Sequence, residues 1–373
     1  MIIITTQCFY PKIGGIEALM TGMAESLSSI GKDVLVLADG TDDTVEDGNQ
    51  KYSIKRFYGW KPLRRLKKAR YLEEICKREN VEIIYADSWK SIEYLNKKNK
   101  KILVLAHGTE IPKQYWTLMI DALRFKKKRI INSYKDVYRI IANSNYTKDL
   151  MHASLKIDYE QIKIIHPGID IYQEFVSNEE TNFVEKIVHN KNPVITTLAR
   201  VERRKGHKYI INAINELKEQ FPNIIYLIAG KGPYLETIKN YVKKLNLTNF
   251  VIFLGWITEP EKSVILKKSD IFAMTPIISG ESVEGFGMAF IDAAFHGVPS
   301  LGSDSGGIKD AILDGKTGII CKVNDQSNIT FNLRKLIENE PLRIELGQNG
   351  KKLAKEKYSW DKKIHEYLDA ANN

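Results

Sequence analysis

Two doubly wound α/β domains in tandem, each on a parallel sheet and facing the other across a central cleft, are the fold the sequence predicts. Three observations predict it. Short β-rich apolar runs alternate with stretches of helical periodicity almost throughout. The pattern restarts past the middle, at Pro193-Val194-Ile195. The chain has 373 residues, more than one ordinary core organises, so two domains of under about 200 residues each are expected.

In chain order, strands are expected at residues 2–5, 34–38, 83–86, 102–106, 139–142 and 162–166, with helices between them at, for example, 16–30 and 148–154. The second half offers strands at 193–198, 225–229, 251–254, 271–274, 299–302 and 318–321. Residues 172–192, polar and rich in Asn, Glu and Lys, read as the linker. The tail places Trp360, Ile364 and Leu368 on one face of a helix. The expected division is 1–171, 172–357 and a terminal helix within 358–373.

The composition, 43% hydrophobic and 27% charged, is that of a globular protein with ample core. No run approaches the roughly 18 to 20 apolar residues that a membrane span needs. The start, Met1-Ile2-Ile3-Ile4-Thr5-Thr6, has no basic flank and reads as a buried first strand rather than a signal peptide. Cys8, Cys76 and Cys321 are odd in number and far apart, which gives neither a disulfide framework nor metal-ligand spacing and fits a reducing, cytoplasmic compartment. No metal or other cofactor is expected.

The net charge of +10 is uneven. Residues 1–170 hold 29 Lys and Arg against 21 Asp and Glu; the rest holds 27 against 25. Residues 51–70 carry nine basic side chains and no acidic one, and Arg124, Lys126, Lys127, Lys128 and Arg129 form a second cluster. One reading is a solvated surface. The other is attraction to an anionic membrane surface, with Leu63, Leu66, Ala69, Leu72 and Ile75 on the apolar side of a helix and Lys61, Arg64, Arg65, Lys67 and Lys68 crowding the rest. No nucleic-acid motif interleaves these runs, so RNA and DNA are not the expected partners.

In open α/β sheets ligands sit beyond the carboxyl ends of the strands, and the unusual residues concentrate there. Gly14-Gly15 follows the first strand and opens a helix, where backbone amides approach an anion closely. It does not match the G-x-G-x-x-G fingerprint of nicotinamide enzymes. His107-Gly108 ends the strand at 102–106; a lone His is more often structural, but a strand end facing the cleft favours function. Arg200 and Lys205 end the first strand of the second domain, where Arg as a bidentate donor and Lys as a point charge would clamp a pyrophosphate, unless the loop is simply solvated. Gly230-Lys231-Gly232 and Gly255-Trp256-Ile257 end two further strands and offer backbone groups to a nucleotide. The most specific element is Glu281-Ser282-Val283-Glu284-Gly285-Phe286-Gly287-Met288, a glycine-flanked loop that enters a helix carrying Asp292. The first turn of that helix has free amide donors. Downstream, Ser303-Asp304-Ser305-Gly306-Gly307 is another polar strand-to-helix turn.

Taken together these motifs resemble the retaining glycosyltransferases of the GT-B fold, in the large class that contains phosphatidylinositol mannosyltransferases and sucrose synthases. The likeness runs from Gly14-Gly15 to Tyr358-Ser359-Trp360, and its five motifs occur in family order: Gly14-Gly15, His107-Gly108, Arg200 with Lys205-Gly206, Gly230-x-Gly232, and Glu284. His107-Gly108-Thr109-Glu110, Asn143-Ser144-Asn145-Tyr146-Thr147 and His166-Pro167-Gly168-Ile169-Asp170 look like the mannosyltransferase branch. The resemblance implies front-face, retaining transfer of a hexose, mannose slightly preferred, from a nucleotide-diphosphate donor such as GDP-mannose or a UDP-sugar. The acceptor would be a glycan or lipid-linked, bound by the first domain, and no metal would be obligatory. Arg200 and Lys205 would stabilise the leaving diphosphate, Glu284 would contact the donor sugar, and His107 would orient it and donate from its backbone or ring. Gly15, Gly230, Gly232, Trp256, Ile257, Gly285, Phe286, Gly287, Met288 and Asp292 would bind the donor, and the tail helix would cross back onto the first domain. The family has a second glutamate where this chain has Asp292. Asp keeps the charge and loses one C–C bond of reach, about 1.5 Å, at the position that holds the ribose hydroxyls. An epimerase or hydrolase on the same fold would need an added acid or base, and none is found near His107. A glycan-binding relative without catalysis would need no diphosphate clamp.

Overall fold

Near-continuous aliphatic runs suit strands covered on both faces by crossover helices, and they build both sheets of this chain. The computed structural model describes residues 1–12, 14–40, 47–48, 50–111, 121–169, 178–277 and 283–372. The chain divides into two compact units, Met1–Asp170 with Tyr358–Asn373, and Ile171–Lys357.

The first unit alternates β1 (Ile2–Thr6), α1 (Gly15–Ser29), β2 (Val34–Asp39), β3 (Ser53–Phe57), α2 (Lys61–Arg78), β4 (Ile83–Ala86), β5 (Ile102–Ala106), α3 (Asp121–Tyr134), β6 (Arg139–Ala142), α4 (Asn145–Leu155) and β7 (Ile162–Ile164). The strands pair in parallel in the order β3-β2-β1-β4-β5-β6-β7. Every residue of β1, β4 and β5 is buried. The expected strands are present, and β3 is an addition to them. It is an edge strand of mixed exposure with two cations, Lys55 and Arg56, so it lacks an apolar run and is hidden within the basic stretch.

The same stretch supplies a correction. Helix α2 packs on its own unit, and much of its charge is turned inward. Lys68 is 1% exposed, with its ammonium 2.7 Å from the Asp39 carboxylate. Arg64 reaches the other oxygen of Asp39 at 2.7 Å, and Arg65 pairs with Glu93 at 3.1 Å. Asp39 and Glu93 come from other elements, so their draw on α2 is invisible in the helix's own spacing. On its exposed side lie Lys61, Lys67, Arg70 and Leu63, next to exposed Tyr58 and Trp60.

The last helix, α13 (Trp360–Asn372), belongs to the first unit. Trp360 fits a slot cut by two glycines: a Cβ at Gly22 would meet its indole nitrogen at 2.1 Å, and one at Gly168 would meet the ring at 2.6 Å. The Tyr85 hydroxyl donates to the Tyr367 carbonyl at 2.9 Å, and the two rings meet edge to face.

The second unit runs α5 (Asn178–Val188), β8 (Val194–Leu198), α6 (His207–Leu217), β9 (Ile225–Ala229), α7 (Leu235–Lys244), β10 (Val251–Gly255), α8 (Glu259–Lys267), β11 (Ile271–Ala273), α9 (Met288–Phe295), β12 (Ser300–Ser303), α10 (Ile308–Ala311), β13 (Gly318–Cys321), α11 (Gln326–Glu338) and α12 (Glu340–Leu353). Its parallel order is β10-β9-β8-β11-β12-β13. Both sheets therefore carry a topological switch, at β1/β4 and at β8/β11, and ligands of such sheets bind outside the strand ends at that point. Part of the segment expected as linker, 172–192, is helix α5: Val184 is buried, and Ile187 and Val188 pack beside it on the core. Their i, i+3, i+4 spacing is an amphipathic signal that the polar composition masked. Residues 172–177 lie outside the described residues. Among the described residues, no helix is long and apolar enough to cross a membrane.

Candidate functional site

The second unit collects charge at its switch point. After β8 the chain passes Arg200 and Glu202, makes a short turn at Arg203–Lys205, and enters α6 through Gly206. Gly206 has φ +76, and a Cβ there would lie 1.9 Å from the Thr275 carbonyl oxygen. Only glycine lets the turn after β8 rest directly on the chain leaving β11. Glu284, on the segment between β11 and α9, thereby meets that turn: its Oε2 accepts from Lys205 Nζ at 2.6 Å and from Arg204 Nη1 at 2.7 Å. Arg204 Nε donates to Glu202 at 2.8 Å, and Glu202 lies 3.3 Å from Arg200. Lys205 is 9% exposed, whereas the Arg200 side chain is 68% exposed. Burial pushes the Glu284 carboxyl up, but Lys205 and Arg204 outweigh it and hold the group below its ordinary value. The result is an ionised carboxylate under two cations, with a third cation open to solvent.

The turn at 303–307 supports this arrangement. The Gly307 N–H donates to the Glu284 carbonyl at 2.9 Å, and a Cβ at Gly306 would lie 2.1 Å from the same oxygen. Gly230 and Gly232 act similarly, since Cβ atoms there would lie 2.0 Å from the Ala199 carbonyl and 2.3 Å from that of Val201. They let the chain after β9 lie against the loop that carries Arg200. Gly287 caps α9 in the left-handed region, and Met288 begins that helix. Phe286, next to Gly285, is buried. Trp256 is half exposed, and Ile257 packs on the core beside α5. Glu281 and Ser282 lie outside the described residues.

Asp292, on α9, shares no ion-pair partner with Glu284 among the described residues. It lies 3.5 Å from Lys262 of α8, which also pairs with Glu259. Burial alone would lower the Lys262 ammonium, but these two carboxylates raise it. His207 follows Lys205-Gly206 and is 1% exposed; burial and then Lys205 push its imidazole down to about 4, so it is neutral at pH 7.

In the first unit His107 stands at the end of β5, buried. Its Nε2 lies 2.8 Å from the Asp87 carbonyl, and its backbone N–H donates to Glu110 at 2.7 Å. A carbonyl accepts only, so Nε2 carries the proton. Both donors expected to reach a sugar, backbone and ring, are thus engaged within the unit, and Nδ1 is the ring position left to offer. Gly14 precedes α1 as its N-cap, Gly15 begins it, and Glu17 stands in its first turn.

Arg204, Glu202 and Lys262 were not singled out from sequence. Arg203 and Arg204 are neighbours of the same type, and the contacts of Arg204 with Glu202 and with Glu284, 80 residues away, distinguish them.

The description of glycosyl transferases group 1 matches residues 178–353, and that of glycosyltransferase family 4 matches residues 13–173. A GDP-mannose-dependent α-(1-6)-phosphatidylinositol monomannoside mannosyltransferase of Mycolicibacterium smegmatis is 29% identical over 265 residues, 70% of this chain and 67% of the relative. The chain thus spans about two thirds of that relative's length. Among solved structures, sucrose-phosphate synthase from Thermosynechococcus elongatus matches with TM-score 0.80 at 16% identity, covering 100% of this chain and 98% of its own. HepE of Anabaena, solved with UDP and glucose, matches with TM-score 0.78 at 18% identity, over 99% of this chain and 100% of its own.

Proposed function

Because the chain belongs to the group 1 glycosyltransferases and has their GT-B fold, we propose that it is a retaining hexosyltransferase acting on a nucleotide-diphosphate sugar, with mannose slightly preferred. The observation that carries this reading is the convergence of Arg200, Arg204, Lys205 and Glu284 at the switch point of the second sheet. As the bond to the diphosphate breaks, negative charge grows on the leaving oxygen. Arg200 and Lys205 would meet it, and fixed cations there cost no reorganisation. Arg204 would hold Glu284 in place while Glu284 accepts a hydroxyl hydrogen bond from the sugar. Asp292 would hold the ribose, and the first unit would bind a glycan or lipid-linked acceptor with His107 as an orienting group. We also propose that no metal takes part.

The mannosyl preference draws support from the mycobacterial relative, and the complex of HepE keeps UDP-sugars in view. A donor-turnover assay in excess EDTA, with GDP-mannose and UDP-glucose and with or without glycan and lipid-linked acceptors, tests the proposal. Nucleotide release that requires an acceptor and survives EDTA is the expected result. Acceptor-independent hydrolysis would favour a hydrolase, no turnover of any donor a binding protein, and loss restored only by Mg²⁺ or Mn²⁺ would overturn the metal-free reading.

A further inference from the structure

Helix α8 starts directly after Trp256-Ile257, and α9 carries Asp292, so the two helices border positions assigned to the donor. The start of α8 is fixed by a capping box: the Thr258 N–H donates to Glu261 at 2.6 Å, and the Glu261 N–H donates to the Thr258 hydroxyl at 3.3 Å. Val264, Ile265 and Leu266 are buried along α8, whereas Lys262 and Ser263 reach α9 through polar links. Lys262 lies 3.5 Å from the Asp292 carboxylate. Ser263 Oγ lies 3.0 Å from Nε2 of His296, the residue that ends α9. On the other side of the ring, His296 Nδ1 lies 2.8 Å from the Asp292 carbonyl oxygen. A carbonyl accepts only, so Nδ1 carries the proton, and the Ser263 hydroxyl donates to Nε2. The ring is neutral at pH 7: burial first, with smaller pushes from Lys262 and Lys267, holds the imidazole below its ordinary value against the opposing bond and charge of Asp292. Phe295 stands edge to face against it, with the ring centroids 5.4 Å apart.

Two links therefore start from adjacent residues of α8 and end on one residue of α9. Lys262 meets the Asp292 carboxylate, and Ser263, through His296, meets the Asp292 carbonyl. One link would leave a pivot; two hold the helices in a single register. A histidine that merely capped α9 would need the carbonyl but no partner on another helix. We propose that His296, together with Ser263, is a positioning residue for donor recognition, locking α8 to α9 so that the Asp292 carboxylate stands where the ribose hydroxyls bind. This role rests on the assignment of the ribose to Asp292. Neither residue touches the donor itself; they act as the outer support that keeps a binding group within a fraction of an ångström of its working place.

The test is calorimetric titration of the full chain with GDP or UDP, whichever binds more tightly, with its 2′-deoxy counterpart, and with the matching monophosphate. A hydrogen bond to a carboxylate should favour the ribonucleotide over the 2′-deoxynucleotide at least about tenfold in the original chain. Ser263→Ala and His296→Ala should each cut that preference to about threefold or less, and the double variant should go no further, because both break the same link. His296→Gln, whose amide oxygen can accept from Ser263, should recover most of it. The preference for diphosphate over monophosphate should persist in every variant, since the cations after β8 are untouched. Ser263→Ala removes one half-buried hydroxyl and is expected to fold like the original, which a thermal melt checks. An unchanged ribose preference in Ser263→Ala, or a uniform loss of nucleotide affinity with that preference kept, marks a purely structural link and overturns the proposal. Asp292→Ala separates the two levels. If it abolishes a ribose preference that Ser263→Ala leaves intact, the positioning role alone falls; if the original chain binds no nucleotide or has no ribose preference, the assignment of Asp292 falls and takes this role with it.

Discussion

At the scale of single residues the account turns on which cation meets the ligand. Arg200 is largely exposed, whereas Lys205 and Arg204 already rest on Glu284. Arg200→Ala should therefore lower kcat about 100-fold, the size of effect seen when one contact to a developing charge is removed, with little effect on stability. Lys205→Ala should match it in kcat and also loosen Glu284. Glu284→Ala should cut kcat, while Asp292→Ala should chiefly raise the donor KM; steady-state kinetics showing the reverse would mean the two carboxylates exchange roles. Glu284 also has a pH signature. Its folded value lies below the ordinary carboxylate value of about 4.3, so the stability it contributes is complete above that value and is lost as pH falls through the folded one. Urea midpoints of the original chain and Glu284→Gln should differ by a constant amount from pH 6 to 8 and converge below about pH 4; convergence already near pH 6 would contradict this. Arg200, Lys205 and Glu284 were legible in sequence because each follows a strand in a glycine-bearing loop. Arg204 was not, since nothing in a run of basic residues says which one will meet a carboxylate from a distant strand end.

At the scale of elements the reading succeeded where apolar runs are long. Strands β4, β5, β6, β9 and β13 were placed to the residue, and β1 and β8 within one residue at either end, because burial on both faces demands aliphatic continuity. It failed at β3, an edge strand with two cations, and at α5, whose apolar stripe of Val184, Ile187 and Val188 is diluted by polar neighbours. Helix α2 shows a subtler failure. Its periodicity was read correctly, but Lys68, Arg64 and Arg65 answer to Asp39 and Glu93, which come from elsewhere in the unit. Any attraction of this helix to an anionic membrane, which we keep as a proposal, would be centred on exposed Lys61, Lys67 and Arg70 beside Trp60, Tyr58 and Leu63. An aromatic with basic neighbours suits the headgroup layer, and the attraction is screened over about 10 Å at 0.1 M salt. The protein should then co-sediment with anionic but not neutral vesicles and release at high salt. Replacing Lys61, Lys67 and Arg70 by Ser should abolish sedimentation without loss of folding. Equal recovery on neutral and anionic vesicles would leave these side chains a solvated face.

At the scale of the whole molecule, two parallel sheets each bring their unusual residues to one switch point: Asp87, which receives His107, beside β1, and Lys205 and Glu284 beside β11. That repetition follows from topology, since strand order reverses there and the adjacent crossovers leave to opposite faces. The division of labour, donor in the second unit and acceptor in the first, is our proposal, and its centre is that the second unit recognises a diphosphate. The direct measurement is calorimetric titration with GDP, GMP, UDP and UMP of the original chain and of the double variant Arg200→Ala, Lys205→Ala. A charge-assisted contact contributes about 1.5–3 kcal/mol, so one diphosphate should bind at least about tenfold more tightly than its monophosphate. The double variant should erase that difference while leaving the monophosphate affinity nearly unchanged. Equal affinity for the diphosphate and monophosphate of both bases in the original chain, or a preference that survives in the double variant, would contradict the assignment.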